Sequence, residues 1–450
     1  MNIILITVDC LRKDYVGCYN PSVKKYTPNI DMLAQESVVY NNAFATGPRT
    51  SVSFPGILGS QYRSLTQAKG KIDNNTLTLA RFLAKNGFFT AAFHSNPFLS
   101  RAYGYDNGFS IFYDSVSATP KSSTLKRRVR DKLPRGRIFN FLRALNNTVF
   151  GATGDLFRRA NFINEKAIDF MEKNRDTQFF LWLHYMDVHY PYTPPVTFRI
   201  PNVSERKINK LMTIMLSSPN KITDHEHEII KNLYLSEIYY FDYEFKSLLD
   251  FLKHKGIYDD SIIILTSDHG EEFREHGHYS HAAAYESKFA IKLFDELLRV
   301  PLLVKLPDST KREVNDLTSL LDLGPLLCSH LGLGIPKRWN GQAGTREYII
   351  AEHIMETDKK NIFATAVRNN DSKLIWDHVD AEHQFYNLKD DPKEEENLYN
   401  KTEVDGGLKR ALEDHIRLVS AQREKRRLQY ASQSLKRKKK ARRSGETRQG

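Results

Sequence analysis

The run Ile262-Ile263-Ile264-Leu265-Thr266-Ser267 ends abruptly in Asp268-His269-Gly270, and no other stretch limits the fold as much. An apolar segment of strand length that stops at a carboxylate and an imidazole fits the carboxyl end of a strand in an open α/β sheet, where ligands gather. The first residues repeat the pattern: Ile3-Ile4-Leu5-Ile6-Thr7-Val8 leads into Asp9-Cys10. Two strand ends, each delivering a carboxylate, imply one metal centre built from both ends of a large domain.

The segments between agree with that fold class. Strand patterns at 2–8, 88–93, 179–183, 261–266 and 300–304 alternate with helix patterns near 28–34, 76–86, 159–174, 225–255 and 316–331. Thr27-Pro28 reads as a cap followed by proline at the first helical position. The alternation predicts an α/β fold, a large parallel or mixed sheet between helices. Past Asn340-Gly341-Gln342-Ala343-Gly344 come short strand patterns at 347–352, 361–368, 373–377 and 384–387, then a helix near 406–427. That order suits a smaller C-terminal antiparallel sheet with one helix. The expected organisation is a catalytic domain over 1–340, a small α+β subdomain over 341–428 and a basic tail over 429–450. Residues 114–158 fit neither pattern and read as a basic, partly helical insertion.

With 40% hydrophobic and 27% charged residues the chain has an ordinary soluble composition, and no run approaches the roughly 18 apolar residues of a membrane span. The N-terminus has no basic segment before its apolar residues, which lead straight into Asp9, so a signal peptide is not expected and the expected location is cytoplasmic. Three cysteines, Cys10, Cys18 and Cys328, do not support a disulfide framework or a zinc knuckle. The net charge of +12 is concentrated in Lys126–Arg137 and in the tail from Arg423 to Arg443. Such runs are solvated faces, or they adhere to anionic surfaces. The second reading would place the protein peripherally at the inner membrane face. The tail carries no stacking aromatics apart from Tyr430, so no specific nucleic acid is expected.

Asp9, Asp268 and His269 offer hard oxygens and one imidazole, a set suited to Ca²⁺, Mg²⁺ or Mn²⁺ and tolerant of Zn²⁺. The hydroxyl-rich turn Thr46-Gly47-Pro48-Arg49-Thr50-Ser51-Val52-Ser53 precedes a helical segment. A hydroxyl there either caps the helix or serves as a nucleophile that a metal activates at an anion-favouring helix N-terminus. His184 and His189 follow one strand, and His276, His278 and His281 follow Asp268-His269. Their expected work is to neutralise an anion and to protonate a leaving oxygen.

These pieces occur in a recognisable order. Thr7-Val8-Asp9-Cys10-Leu11-Arg12, Thr27-Pro28-Asn29-Ile30, His184-Tyr185-Met186-Asp187-Val188-His189, Thr266-Ser267-Asp268-His269-Gly270-Glu271, Tyr285-Glu286, Arg299-Val300-Pro301-Leu302 and Phe385-Tyr386-Asn387-Leu388 span about residues 1–400. In that order they resemble the sulfatase family of the alkaline-phosphatase superfamily. The resemblance implies one divalent metal ion, held by Asp9, Asp268 and His269. His189 is similar to the histidine that contacts the ester's anionic group. His281 falls where many members place a lysine touching that same group, and Asn96 is a further candidate on the substrate side. The implied substrate is an anionic ester, a sulfated or phosphorylated sugar or lipid.

The chain departs from the family at the nucleophile. Sulfatases oxidise the Cys or Ser of a Cys/Ser-x-Pro-x-Arg motif to formylglycine. Here that position is Thr50, followed by Val52 and Phe54 where the motif has Pro and Arg. No formylglycine is therefore expected. An unmodified Thr50, both nucleophile and metal ligand, resembles the phosphodiesterases and lipoteichoic-acid-synthase-like transferases of the superfamily. Cys10 replaces a second acidic residue, and is either a soft ligand or packed. The expected function is metal-dependent hydrolysis of sulfate or phosphate esters, with Thr50, His189 and His281 catalytic. A phosphoglycerol- or phosphoethanolamine-type transferase and a non-catalytic anion-binding member are the alternatives.

Overall fold

A computed structural model describes residues 1–66, 70–114, 157–281, 284–285, 288–289, 291–308, 311–356 and 361–425. Most of the expected basic insertion, with Lys126–Arg137, and the tail beyond residue 425 lie outside the described residues. The chain runs through β1 (Asn2–Val8), α1 (Pro28–Ala34), β2 (Val38–Phe44), α2 (Thr50–Gly59), α3 (Leu79–Lys85), β3 (Phe89–His94) and β4 (Ile111–Tyr113). It continues through α4 (Ala160–Lys173), β5 (Phe179–Tyr185), α5 (Glu205–Ser217), α6 (Asp224–His254) and β6 (Ser261–Ser267). A small hairpin of β7 (Ala284–Tyr285) and β8 (Lys288–Phe289) leads to α7 (Asp295–Leu298), β9 (Leu302–Lys305), β10 (Arg312–Ser319) and α8 (Leu323–His330). Last come β11 (Ile349–Glu356), β12 (Asn361–Arg368), β13 (Ser372–Asp377), β14 (Gln384–Asn387) and a helix α9 over 406–425.

Eight strands form one sheet in the order β10-β2-β9-β6-β1-β5-β3-β4. All its pairings are parallel except those of β9, which runs against both β2 and β6. The sheet is therefore mixed. A second sheet, β11-β12-β13-β14, is wholly antiparallel, as its short, closely spaced strand patterns predict.

Successive side chains of a strand point to opposite faces, and in the central strands both faces are apolar. Ile4, Ile6 and Val8 of β1 join Leu181 and Leu183 of β5 and Ile263 and Leu265 of β6 in one core, together with α1, α4, α5 and α6. Ile3 and Leu5, Phe180 and Trp182, and Ile262 and Ile264 face the other way, into a core with α2, α3 and α8.

Two sequence expectations need correction. Residues 316–319, expected at the start of a helix near 316–331, instead end the strand β10, and the α-helix begins only at Leu323. As an edge strand, β10 buries few of its side chains, so its hydrophobic pattern is weak. Thr27 stands at the N-cap of α1, but its hydroxyl accepts from Gly17 N at 2.8 Å. The cap comes instead from α6, where the Asp242 carboxylate accepts from Asn29 N at 3.1 Å and Ile30 N at 2.9 Å.

Candidate metal centre and active site

Strand parity places this site. In β1, Asp9 follows Ile3, Leu5 and Thr7 on the α2 side. In β6, Asp268 follows Ile262, Ile264 and Thr266 on the same side. The two strands pair in register through Val8↔Ser267, so the two aspartates emerge as neighbours just beyond the sheet. Helix α2 begins over them, with Thr50 as its first residue. One atom each from Asp9, Asp268 and His269 lies within 4.8 Å of the others, and all three residues are buried. Thr50 Oγ donates to Asp9 Oδ2 at 3.4 Å.

Gly270 lets the chain turn away directly after His269. A Cβ there would stand 1.9 Å from the Glu296 carbonyl oxygen, so no larger residue fits that turn. His269 Nδ1 lies 2.9 Å from the Gly270 carbonyl oxygen. Nδ1 therefore carries the proton, and the Nε2 lone pair faces the carboxylates, 3.7 Å from Asp9 Oδ1 and 3.5 Å from Asp268 Oδ2. Burial lowers the His269 pKa and keeps the ring neutral, as a metal ligand must be.

Burial and the neighbouring Asp9 charge together push the Asp268 pKa up. Burial also raises Asp9, yet the imidazoles of His189, His184 and His269 hold it well below the usual carboxylate range. Without a cation, then, the pair favours one charged and one neutral carboxyl. Asp268 Oδ2 and His269 Nε2 are buried with no hydrogen-bond partner, where native buried polar atoms are nearly always satisfied. A divalent cation among these donors would satisfy both atoms and let both carboxylates ionise, so the residues present fit the metal.

His189 and His281 line the adjoining side. Their rings are 5.1 Å apart, and the His281 ring is 4.5 Å from that of His269. His281 Nδ1 lies 3.0 Å from Glu271 Oε1, and Tyr192 Oη donates to Glu271 Oε2 at 2.8 Å. Burial raises the Glu271 pKa, but the His281 and His189 imidazoles and the Tyr192 hydroxyl together hold it below the usual carboxylate value, so the carboxylate stays charged. Two of the expected histidines do not join them. His276 stacks on Phe294 and pairs with Glu296, and His278 is exposed. Their backbone N–H groups instead bind Glu272 Oε1. Glu272 in turn is paired with buried Lys292, a contact between distant segments that no local pattern announces.

Asn96, expected on the substrate side, donates its Nδ2 to Asp9 Oδ2 at 2.8 Å and so steadies that carboxylate. His184 stands beneath it, with Nε2 3.3 Å from Asp9 Oδ2 and Nδ1 2.9 Å from Thr7 Oγ1, which accepts from Trp182 Nε1 at 3.0 Å. Parity in β5 carries the signal for this role, since His184 shares a face with Phe180 and Trp182. Glu271 has no such signal, because its partners reach it through loop folding. Among the described residues no helix is long and apolar enough to cross a membrane.

Comparison with known proteins adds an independent line. The sulfatase family model matches residues 1–333. The arylsulfatase of Clostridium perfringens is 24% identical, with 89% of this chain and 91% of that protein covered. The iduronate 2-sulfatase of Mus musculus is 25% identical, covering 75% of this chain and 70% of its own. Among solved structures, the phosphonate monoester hydrolase of Silicibacter pomeroyi superposes with a TM-score of 0.67 at 17% identity, over 94% of this chain and 95% of that one. A structure holding its substrate D-glucosamine-2-N,6-O-disulfate matches with the same TM-score, 0.67, at 16% identity, over 94% and 97% of the two chains.

Proposed function

The chain belongs to the sulfatase family, and from that premise we propose that it is a metal-dependent hydrolase of sulfate or phosphate esters in which unmodified Thr50 is the nucleophile. The observation that carries this reading is Thr50 itself. It opens α2 with its hydroxyl 3.4 Å from Asp9 Oδ2, beside a cluster whose Asp268 Oδ2 and His269 Nε2 have no partner. Asp9, Asp268 and His269, with Thr50 Oγ, would hold the metal. When bound, it would lower the pKa of the threonine hydroxyl and screen the ester's negative oxygens.

The chain's own residues supply the rest. The positive end of the α2 dipole favours an anion at Thr50. Thr50 Oγ releases its proton to solvent, from which the histidine that serves as acid is reprotonated, and attacks sulfur or phosphorus; the bond to the leaving oxygen breaks, and the group rests on Thr50 as an ester. His189 or His281 gives the departing alkoxide its proton. Glu271 fixes His281 through Nδ1 and leaves Nε2 as the nitrogen available to substrate. Water then cleaves the threonine ester, releasing sulfate or phosphate and restoring the hydroxyl.

The substrate we infer is an anionic ester of a sugar or lipid. Relatives support both kinds of group, being called sulfatases on one side and phosphonate monoester hydrolases on the other. The test pairs aryl sulfate with aryl phosphate mono- and diesters on metal-loaded protein. Turnover at saturating metal should fall at least about 10³-fold in Thr50→Ala, with circular dichroism unchanged. Turnover that survives Thr50→Ala would remove the proposed nucleophile.

A further inference from the structure

The rings beside the metal cluster form a line that climbs to the surface. His269 is buried, while His281 and His189 are each partly exposed, and neighbouring centroids along the line are 4.5 and 5.1 Å apart. A fourth ring continues it. Phe157 stands 5.5 Å from His189, centroid to centroid, with the two planes at 74°, the edge-to-face pairing that aromatic rings favour. Phe157 is itself partly exposed, and it belongs to none of the apolar clusters found among the described residues. Core packing therefore does not account for it.

The residues that follow hold the ring in place. The Arg158 carbonyl accepts from Ser95 Oγ at 3.2 Å, next to Asn96, which bonds Asp9. Arg159 Nη1 lies 3.1 Å from Glu237 Oε2 and 3.7 Å from Asp187 Oδ1, and its Nη2 donates to the Thr193 carbonyl at 2.6 Å. Ala160 N donates to Asp187 Oδ1 at 3.1 Å. Both carboxylates are buried, and Asp187 stands just before His189 on the same loop. The loop that carries His189 thus also fixes the backbone beside Phe157. A group fixed in this way meets a ligand at little entropic cost.

The leaving oxygen takes its proton from His189 or His281, so the alcohol carbon attached to it must lie beside those imidazoles. The next ring outward from His189 is Phe157. We propose that Phe157 is a specificity-determining residue, one that receives the alcohol half of the ester and favours a ring over an open chain. Its flat hydrocarbon face matches the C–H face of a cyclic alcohol, and neither partner has to freeze many free rotors on contact. An open-chain head group such as glycerol covers less of that face and loses more freedom in doing so. The inference rests on reading the cluster as a site of ester hydrolysis.

The experiment uses the metal-loaded full chain and esters that carry the same group, sulfate or phosphate, on phenol, on cyclohexanol and on glycerol. The quantity read is the ratio of kcat/KM for each ring ester to that for the glyceryl ester. Comparing that ratio between variant and wild type cancels differences in intrinsic reactivity. It should fall roughly 10-fold in Phe157→Ala and be retained in Phe157→Tyr, which keeps the flat face. Circular dichroism checks the fold. Should the alanine variant not fold, Phe157→Leu takes its place, and its ratio should fall as well because the flat face is lost. An equal loss on all three esters would mean that Phe157 only supports His189, and no loss on any would mean that it does not meet the alcohol. Either result overturns the inference and leaves the proposed hydrolase standing. A wild-type protein inert towards all three esters overturns both.

Discussion

Asp9 Oδ2 meets three side chains: Thr50 at 3.4 Å, Asn96 at 2.8 Å and His184 at 3.3 Å. A carboxylate held from several sides presents its other lone pairs in fixed directions, so its supports should matter nearly as much as the ligand. Asn96→Ala is expected to weaken divalent-metal binding by roughly 10–100-fold, read by calorimetric titration. An unchanged Kd would mean that Asn96 serves only the turn it caps, where its Oδ1 accepts from Phe98 N at 2.9 Å. Two other histidines make a prediction about pH. His94 and His353 are fully buried, and burial lowers each to about 3. Below about pH 6.5 the unfolded chain takes up protons that the native chain refuses, so stability falls as pH drops from about 6.5 towards 3. The slope contributed by each is at most about 1.4 kcal/mol per pH unit. Denaturant unfolding at pH 7 and pH 5 should show the loss, and His353→Gln should reduce it; an identical pH dependence in the variant would contradict this account. The aspartates and the histidine at the strand ends were legible as chemistry from residue type and position alone. Glu271 and Lys292 were not, because their partners lie in other loops.

At the scale of elements, period-two alternation in β1, β5 and β6 does most of the positioning. The parity that buries Ile3, Leu5, Phe180, Trp182, Ile262 and Ile264 on one face also sends Asp9, His184 and Asp268 to that face, under α2. A shift of one residue in any of these strands would turn its site residue away from the others. The central strands were readable because they are apolar on both faces. β10 was not, since an edge strand needs little apolar surface. The helix-cap signal at Thr27 predicted where α1 starts, but the carboxylate that caps it comes from Asp242, more than 200 residues later. Asp242→Ala should therefore destabilise the protein by about 1–3 kcal/mol through the unsatisfied N–H groups of Asn29 and Ile30. Thr27→Val should not act through that cap. Equal unfolding midpoints for Asp242→Ala and wild type would refute the assignment.

Across the whole molecule, the large sheet and the C-terminal sheet share a core. Phe44 of β2, Leu317 of β10 and Leu298 of α7 pack with Ile349, Ala351, Ala364 and Ile375. Charged groups cross the same boundary, with Asp295 bound to Arg368 and Lys373, and Lys373 bound to Glu394 at 2.6 Å. Glu352 of β11 accepts from Ser64 N at 2.8 Å and pairs with His415 of α9 at 2.8 Å, while its N–H donates to the Thr46 carbonyl just before α2. The second sheet thus braces the loop that carries Thr50. We expect a chain ending at residue 340 to aggregate, and the full chain to unfold in one cooperative transition by circular dichroism. A soluble, cooperatively folded 1–340 fragment would show that the boundary read near residue 340 separates independent units. By itself the sequence determined the α/β class, the antiparallel C-terminal sheet and the residues able to bind a metal, because alternation, apolar runs and residue chemistry are local properties of a chain. Only the tertiary structure decided that Asn96 and His184 steady Asp9, that Glu271 orients His281, and that Cys10 faces the polar cluster instead of a core. Apart from the Cys10–Asp9 contact, those interactions join residues from 10 to 271 positions apart, and no local pattern encodes which partner will fill a given space.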